Sequence, residues 1–122
     1  TGKGPTLVLL HGVASGLHTW NSWQNRLSND FRVISLDLPG FSLTGPNPNN
    51  DYSVIMYMKL LDALFDKLQI DSCFMAGNSF GGFLTWNYAI FNPARIKKII
   101  LIDAAGFLAR PEKGNLGFML AM

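Results

Sequence analysis

The chain is 122 residues long, at most one domain, and 48% hydrophobic against 15% charged, which excludes a disordered polypeptide and predicts well-buried strands. A formal charge of +2, with no basic cluster beyond Lys97 and Lys98 at a solvated turn, argues against a nucleic-acid surface. No run reaches the roughly 18 apolar residues of a membrane span, and the one cysteine, Cys73, excludes an internal disulfide and reads as a small core hydrophobe.

Residues 1–5 form a turn. Its Gly2-Lys3 pair does not make a phosphate loop, because no glycine precedes it at the required spacing and Gly4 stands where Ser or Thr belongs. Residues 6–10 are a short apolar strand that runs into the flexible loop His11-Gly12-Val13-Ala14-Ser15-Gly16. Trp20, Trp23 and Leu27 then recur at helical spacing, which predicts a helix over residues 18–29 with an aromatic core face. The next strand, residues 33–36, has the unbroken apolar character of a parallel strand covered on both faces and leads into Asp37-Leu38-Pro39-Gly40-Phe41-Ser42.

Residues 44–51 are rich in Gly, Pro and Asn and read as a surface loop. A helix starting at Tyr52 or Ser53 follows, with Val54, Met58, Leu61, Leu64 and Leu68 as its apolar stripe. Residues 73–76 are a third strand, residues 83–89 a third helix closed by Pro93, and residues 98–102 a fourth strand ending at Asp103. Strands alternating with helices predict right-handed crossovers and a parallel sheet. Ligands of such sheets bind at the carboxyl ends of the strands, where His11, Asp37, Ser79 and Asp103 all fall.

Between the third strand and the third helix lies Gly77-Asn78-Ser79-Phe80-Gly81, a G-x-S-x-G pattern in the strand-turn-helix context it requires. Small residues two before and two after the serine allow a tight, strained turn that exposes its Oγ near the positive end of the following helix. The bland alternative is an ordinary turn with an idle serine.

The order strand-HG-x, D-L-P-G-F, G-N-S-x-G-G, N-P-x-R-I (residues 92–96) and L-I-D-A-A-G (residues 101–106) resembles the alpha/beta-hydrolase superfamily, in its serine hydrolase branch. The resemblance implies an α/β fold: an alpha/beta-hydrolase core with a mostly parallel sheet and helices on both faces, truncated at both ends. Residues 1–106 would be the partial core and residues 107–122 the start of a lid. It further implies Ser79 as nucleophile and the backbone N–H groups of Val13 and Phe80 as oxyanion donors. His11, Gly12, Asp37, Gly77 and Gly81 would be structural neighbours of the site, with His11 and Asp37 bracing loops. The family's catalytic histidine comes late and lies outside this chain; His18 reads as a residue at a helix start. Asp103 matches the acid of some branches, with a structural loop role as the alternative, while most serine branches place the acid one strand later.

The implied function is cleavage of an ester, amide or related acyl bond, a carbon–carbon bond included, through a covalent acyl-enzyme on a small-molecule substrate. Serine at the elbow argues against dehalogenases and epoxide hydrolases, which carry aspartate there. The alternative is an inert fragment, or a non-enzymatic module that keeps the elbow without chemistry. No metal or organic cofactor is implied, because no His/Cys/Asp cluster has ligand spacing. No signal-peptide pattern stands at the start, which leaves the compartment open with the cytoplasm as the default. Bared sheet edges predict self-association.

Overall fold

The computed structural model describes residues 1–106; the expected lid start at residues 107–122 lies outside the described residues. Four strands, β1 (Thr6–Leu10), β2 (Arg32–Leu36), β3 (Cys73–Asn78) and β4 (Ile96–Ile102), form one sheet in the order β2-β1-β3-β4 with every pair parallel. Parallel neighbours require long crossovers, and three helices supply them: α1 (Asn21–Leu27), α2 (Val54–Lys67) and α3 (Phe80–Phe91). The result is the parallel sheet with crossover helices that the sequence pattern predicts.

Strand register positions the functional end. Leu10 of β1 stands opposite Leu36 of β2 and Gly77 of β3, and Gly77 stands opposite Leu101 of β4. The strands therefore finish side by side, and the loops that begin at His11, Asp37, Ser79 and Asp103 share one edge of the sheet.

Side chains alternate between the faces of a strand, so β1 serves two cores. Val8 and Leu10 join Met75 of β3, Met58, Leu61 and Phe65 of α2, and Leu84 and Tyr88 of α3. Leu7 and Leu9 join Trp20, Val33 and Ala76, with Leu27 and Phe31 at the margin. Helices thus cover both faces. Burying a side chain such as Leu61 or Phe65 contributes about 1.5–3 kcal/mol. Helix α2 starts cleanly because Ser53 Oγ accepts the Met56 N–H at its first turn.

Three expectations need correction. The helix expected over residues 18–29 is a 3₁₀ turn, Leu17–Trp20, followed by the short α1, and only Trp20 is core. Trp23 is 37% exposed and meets Trp20 edge-on at 5.3 Å. The stripe of α2 is rotated: Tyr57, Met58, Leu61 and Phe65 are its buried residues, while Val54 is exposed. Finally, β2 and β4 are edge strands among the described residues. Only Val33 of β2 is fully buried, and Ile99, Ile100 and Leu101 of β4 are 36%, 47% and 45% exposed.

Candidate active site

The turn between β3 and α3 works only with glycine at two places. A Cβ on Gly77 would lie 2.2 Å from the carbonyl oxygen of Gly81, and one on Gly81 would lie 2.1 Å from that of Leu10. The backbone can therefore pass close behind Ser79, which takes the conformation φ 51°, ψ −113°. Such a conformation in a residue with a side chain costs on the order of 1–3 kcal/mol and persists only where its surroundings over-determine it.

Those surroundings are hydrogen bonds. The Ser79 N–H donates to Ile102 O at 3.0 Å, and Ser79 O accepts the N–H groups of Phe83 at 2.9 Å and Ala105 at 3.0 Å. Asn78 Nδ2 also donates to Ile102 O, and Trp86 Nε1 donates to Ala105 O. The elbow is thus clamped to the turn that follows β4. Ser79 occupies the N-cap of α3, yet its hydroxyl makes no capping bond, so among the described residues Oγ stands free of the helix at its positive end.

The loop after β1 is held against this elbow. A Cβ on Gly12 would lie 2.9 Å from Asn78 Oδ1 and 3.2 Å from Ser79 Cβ, so a larger residue would have to push the Asn78 side chain aside. His11 is fully buried. Its Nδ1 donates to Gly12 O at 2.8 Å and its Nε2 accepts the Leu38 N–H at 3.0 Å, which ties the loops after β1 and β2 together and defines a neutral ring. Asp37 completes the brace: its carboxylate accepts the N–H groups of Leu17 at 2.7 Å and Leu43 at 3.4 Å. Burial pushes the Asp37 carboxyl up, but hydrogen bonds from Leu17, Leu43 and Ser42 outweigh it and hold the group below the usual carboxylate range.

Both ring nitrogens of His11 are engaged, so it cannot take a proton from Ser79, and His18 is exposed on the 3₁₀ turn. Asp103 is exposed in a left-handed conformation, φ 46°, and among the described residues no hydrogen bond holds its carboxylate. Among the described residues no turn or cap hydrogen bond takes up the N–H of Val13 or of Phe80. No group of three His, Cys, Asp or Glu among the described residues could hold a metal ion, and no helix among them is long and apolar enough to cross a membrane.

A cavity of about 290 Å³ opens beside Ser79, walled by Val13, Tyr52, Val54, Phe80 and Phe83 and closed by Ala105 and Gly106. Sequence reading missed Tyr52, Val54 and Phe83 as wall residues. Tyr52 carried a usable signal, a lone aromatic at the end of a polar loop on the functional edge. Behind the wall, Phe80 packs on Phe41, Tyr57 and Phe83 with ring centroids 5.9, 5.4 and 6.1 Å away.

Residues 5–118 match the family model described as alpha/beta hydrolase fold. The chain is 35% identical over 108 residues to the 2-hydroxy-6-oxo-2,4-heptadienoate hydrolase of Pseudomonas putida, covering 86% of this chain and 39% of that protein. Among solved structures it resembles a meta-cleavage product hydrolase from Pseudomonas fluorescens at 31% identity and a TM-score of 0.82, covering 87% of this chain and 40% of the other. An epoxide hydrolase from Bacillus megaterium matches at 26% identity and a TM-score of 0.80, over 85% of this chain and 37% of the other. The chain thus spans about two fifths of the length of these proteins.

Proposed function

The chain belongs to the alpha/beta-hydrolase-fold family, and on that premise we propose that it is the nucleophile-bearing core of a serine hydrolase acting on an ester, amide or related acyl bond, a carbon–carbon bond included. Ser79 Oγ attacks the acyl carbon and passes its proton to a histidine outside these 122 residues. The oxyanion that forms is held by the N–H groups of Val13 and Phe80, each worth on the order of a hundredfold to a thousandfold in rate. The leaving group departs with the proton, and water then releases the acyl group from Ser79. Asp103 is the candidate acid to orient that histidine.

One observation carries this reading: Ser79 is held at φ 51° with a hydroxyl that caps nothing, beside a cavity and at a helix N-terminus. Strain held in place by its surroundings supports a reacting role for the residue that bears it. The epoxide hydrolase likeness extends to the fold, but serine rather than aspartate at the elbow favours acyl chemistry. The test is hydrolysis of short p-nitrophenyl esters by the full-length protein and its Ser79→Ala variant. Turnover is expected to fall on the order of 10⁴- to 10⁶-fold, and a variant as active as the parent would overturn the assignment.

The isolated 122-residue chain is also expected to self-associate through β4, an edge strand whose Ile100 is 47% exposed. A clean monomer in gel filtration at high concentration would contradict this.

A further inference from the structure

A second cavity, of about 430 Å³, adjoins the first and is lined by Val13, Gly40, Phe41, Tyr52, Tyr57 and Phe80. Val13, Tyr52 and Phe80 line both cavities and so form their shared wall. Phe80 is fixed from behind by Tyr57, and Val13 belongs to the loop held against the elbow. Tyr52 differs, because it enters from the polar loop after β2.

Two features hold Tyr52 there. Its ring lies against Gly40, where φ is +86° and a Cβ would come within 2.8 Å of Tyr52 Cε1. Its hydroxyl oxygen accepts the Asn47 N–H at 3.1 Å. Gly40 therefore keeps its side-chain space empty for the Tyr52 ring, and the phenol ties the far side of the loop to it.

The chemistry of the second cavity is equally defined. Of its two phenols, Tyr57 spends its O–H on Pro39 O at 2.8 Å, while the Tyr52 oxygen accepts the Asn47 N–H and keeps its own O–H to donate. Apart from that hydroxyl, what these side chains offer an occupant is ring faces and aliphatic surface, a lining that takes an apolar group and has no charge to pair with a charged one.

We propose that the site has two compartments, and that Tyr52 is the specificity-determining partition between the cavity at Ser79 and an apolar subsite for an aryl or branched alkyl group. This rests on Ser79 as the reacting residue for its kinetic consequence, but not for the existence of the subsite. Small acyl groups fit in front of Tyr52. Larger apolar groups must displace its ring.

Two measurements on the full-length protein test this. In the first, inactivation rates are compared for an ethyl and a naphthyl fluorophosphonate. Tyr52→Ala is expected to raise the naphthyl-to-ethyl rate ratio about tenfold or more, and Tyr52→Phe, which keeps the ring, to leave it within about twofold. An unchanged ratio in Tyr52→Ala overturns the partition. In the second, naphthalene binding is followed by NMR in the Ser79→Ala background, where no chemistry can occur. Contacts to Phe41 and Tyr57 rings, with affinity several-fold higher in Tyr52→Ala, are expected; equal affinity without those contacts overturns the subsite. Failure of the parent to label at Ser79 would refute the nucleophile assignment instead, and the binding arm would still decide the subsite.

Discussion

At the carboxyl end of the sheet Asp37 accepts from the backbone N–H groups of Leu17 and Leu43, whereas at the amino end Asp62 accepts from side chains, the Tyr88 hydroxyl at 2.7 Å and the Asn92 amide at 2.8 Å. Arg95 adds a contact to Asp62 at 3.7 Å and a salt bridge to Asp66. The amino-end cluster binds α2 to α3 and to the start of β4. The carboxyl-end cluster binds loops to one another. Backbone strain leans the same way: of the non-glycine residues with positive φ, Ala14, Ser42, Asn50, Ser79 and Asp103 follow the carboxyl ends of strands, and Gln69 lies at the amino end before β3. Side-chain pairing between helices stabilises the domain, while backbone bracing of loops sustains the unfavourable conformations that a reacting group needs.

The largest blow to this division would come at the elbow itself. Gly81→Ala sets a Cβ 2.1 Å from the Leu10 carbonyl oxygen, a backbone atom of a central strand. A loss above about 4 kcal/mol is expected, seen as failure to recover folded protein. Normal yield and melting temperature would show that the elbow and β1 are less tightly coupled than the geometry requires.

Next come the two aspartates. Asp62→Ala leaves the Tyr88 hydroxyl and the Asn92 amide without their acceptor, and a loss of about 1–3 kcal/mol is expected with kcat/KM on an ester retained. Asp37→Asn replaces a carboxylate oxygen by an amide NH2, a donor facing a backbone N–H, so kcat/KM should fall tenfold or more with a smaller change in melting temperature. Calorimetry beside ester kinetics reads both. The comparison breaks if Asp62 governs activity and Asp37 only stability.

The smallest expected effect is in acid. For Asp62, hydrogen bonds from Tyr88 and then Asn92 hold the carboxyl below its ordinary value, and Asp37 is also lowered. A carboxyl lowered on folding stabilises the protein above its unfolded value, near pH 4, and that contribution is lost as pH falls. Asp62→Asn should therefore flatten the fall of melting temperature below about pH 5, and an acid limb as steep as the parent's would show that Asp62 is not a source of it.

Much of this could be read from residues in order. The elbow was legible because glycine spacing, strand and helix all converge on Ser79, and the loops at His11 and Asp37 because each ends an apolar run. Helix α2 was legible as a helix but not in its rotation: residues 57, 61 and 65 and residues 54, 58 and 61 form adjacent apolar rows, and only packing against β1 and α3 buries the first row with Met58 and leaves Val54 out. Val54 fell to the cavity beside Ser79 for the same reason. Trp23 looked like core because periodicity does not reveal how short a helix is or how little sheet lies beneath it. The position of Tyr52 depends on contacts with Gly40 and Asn47, which belong to separate turns and leave no periodic trace.

The most direct measurement is mass spectrometry of the full-length protein after reaction with a fluorophosphonate, followed by peptide mapping. One adduct on the peptide carrying Ser79, absent from Ser79→Ala, is the result expected of a nucleophile held at this turn. Failure of folded protein to label, or an adduct on another residue that persists in Ser79→Ala, would contradict it.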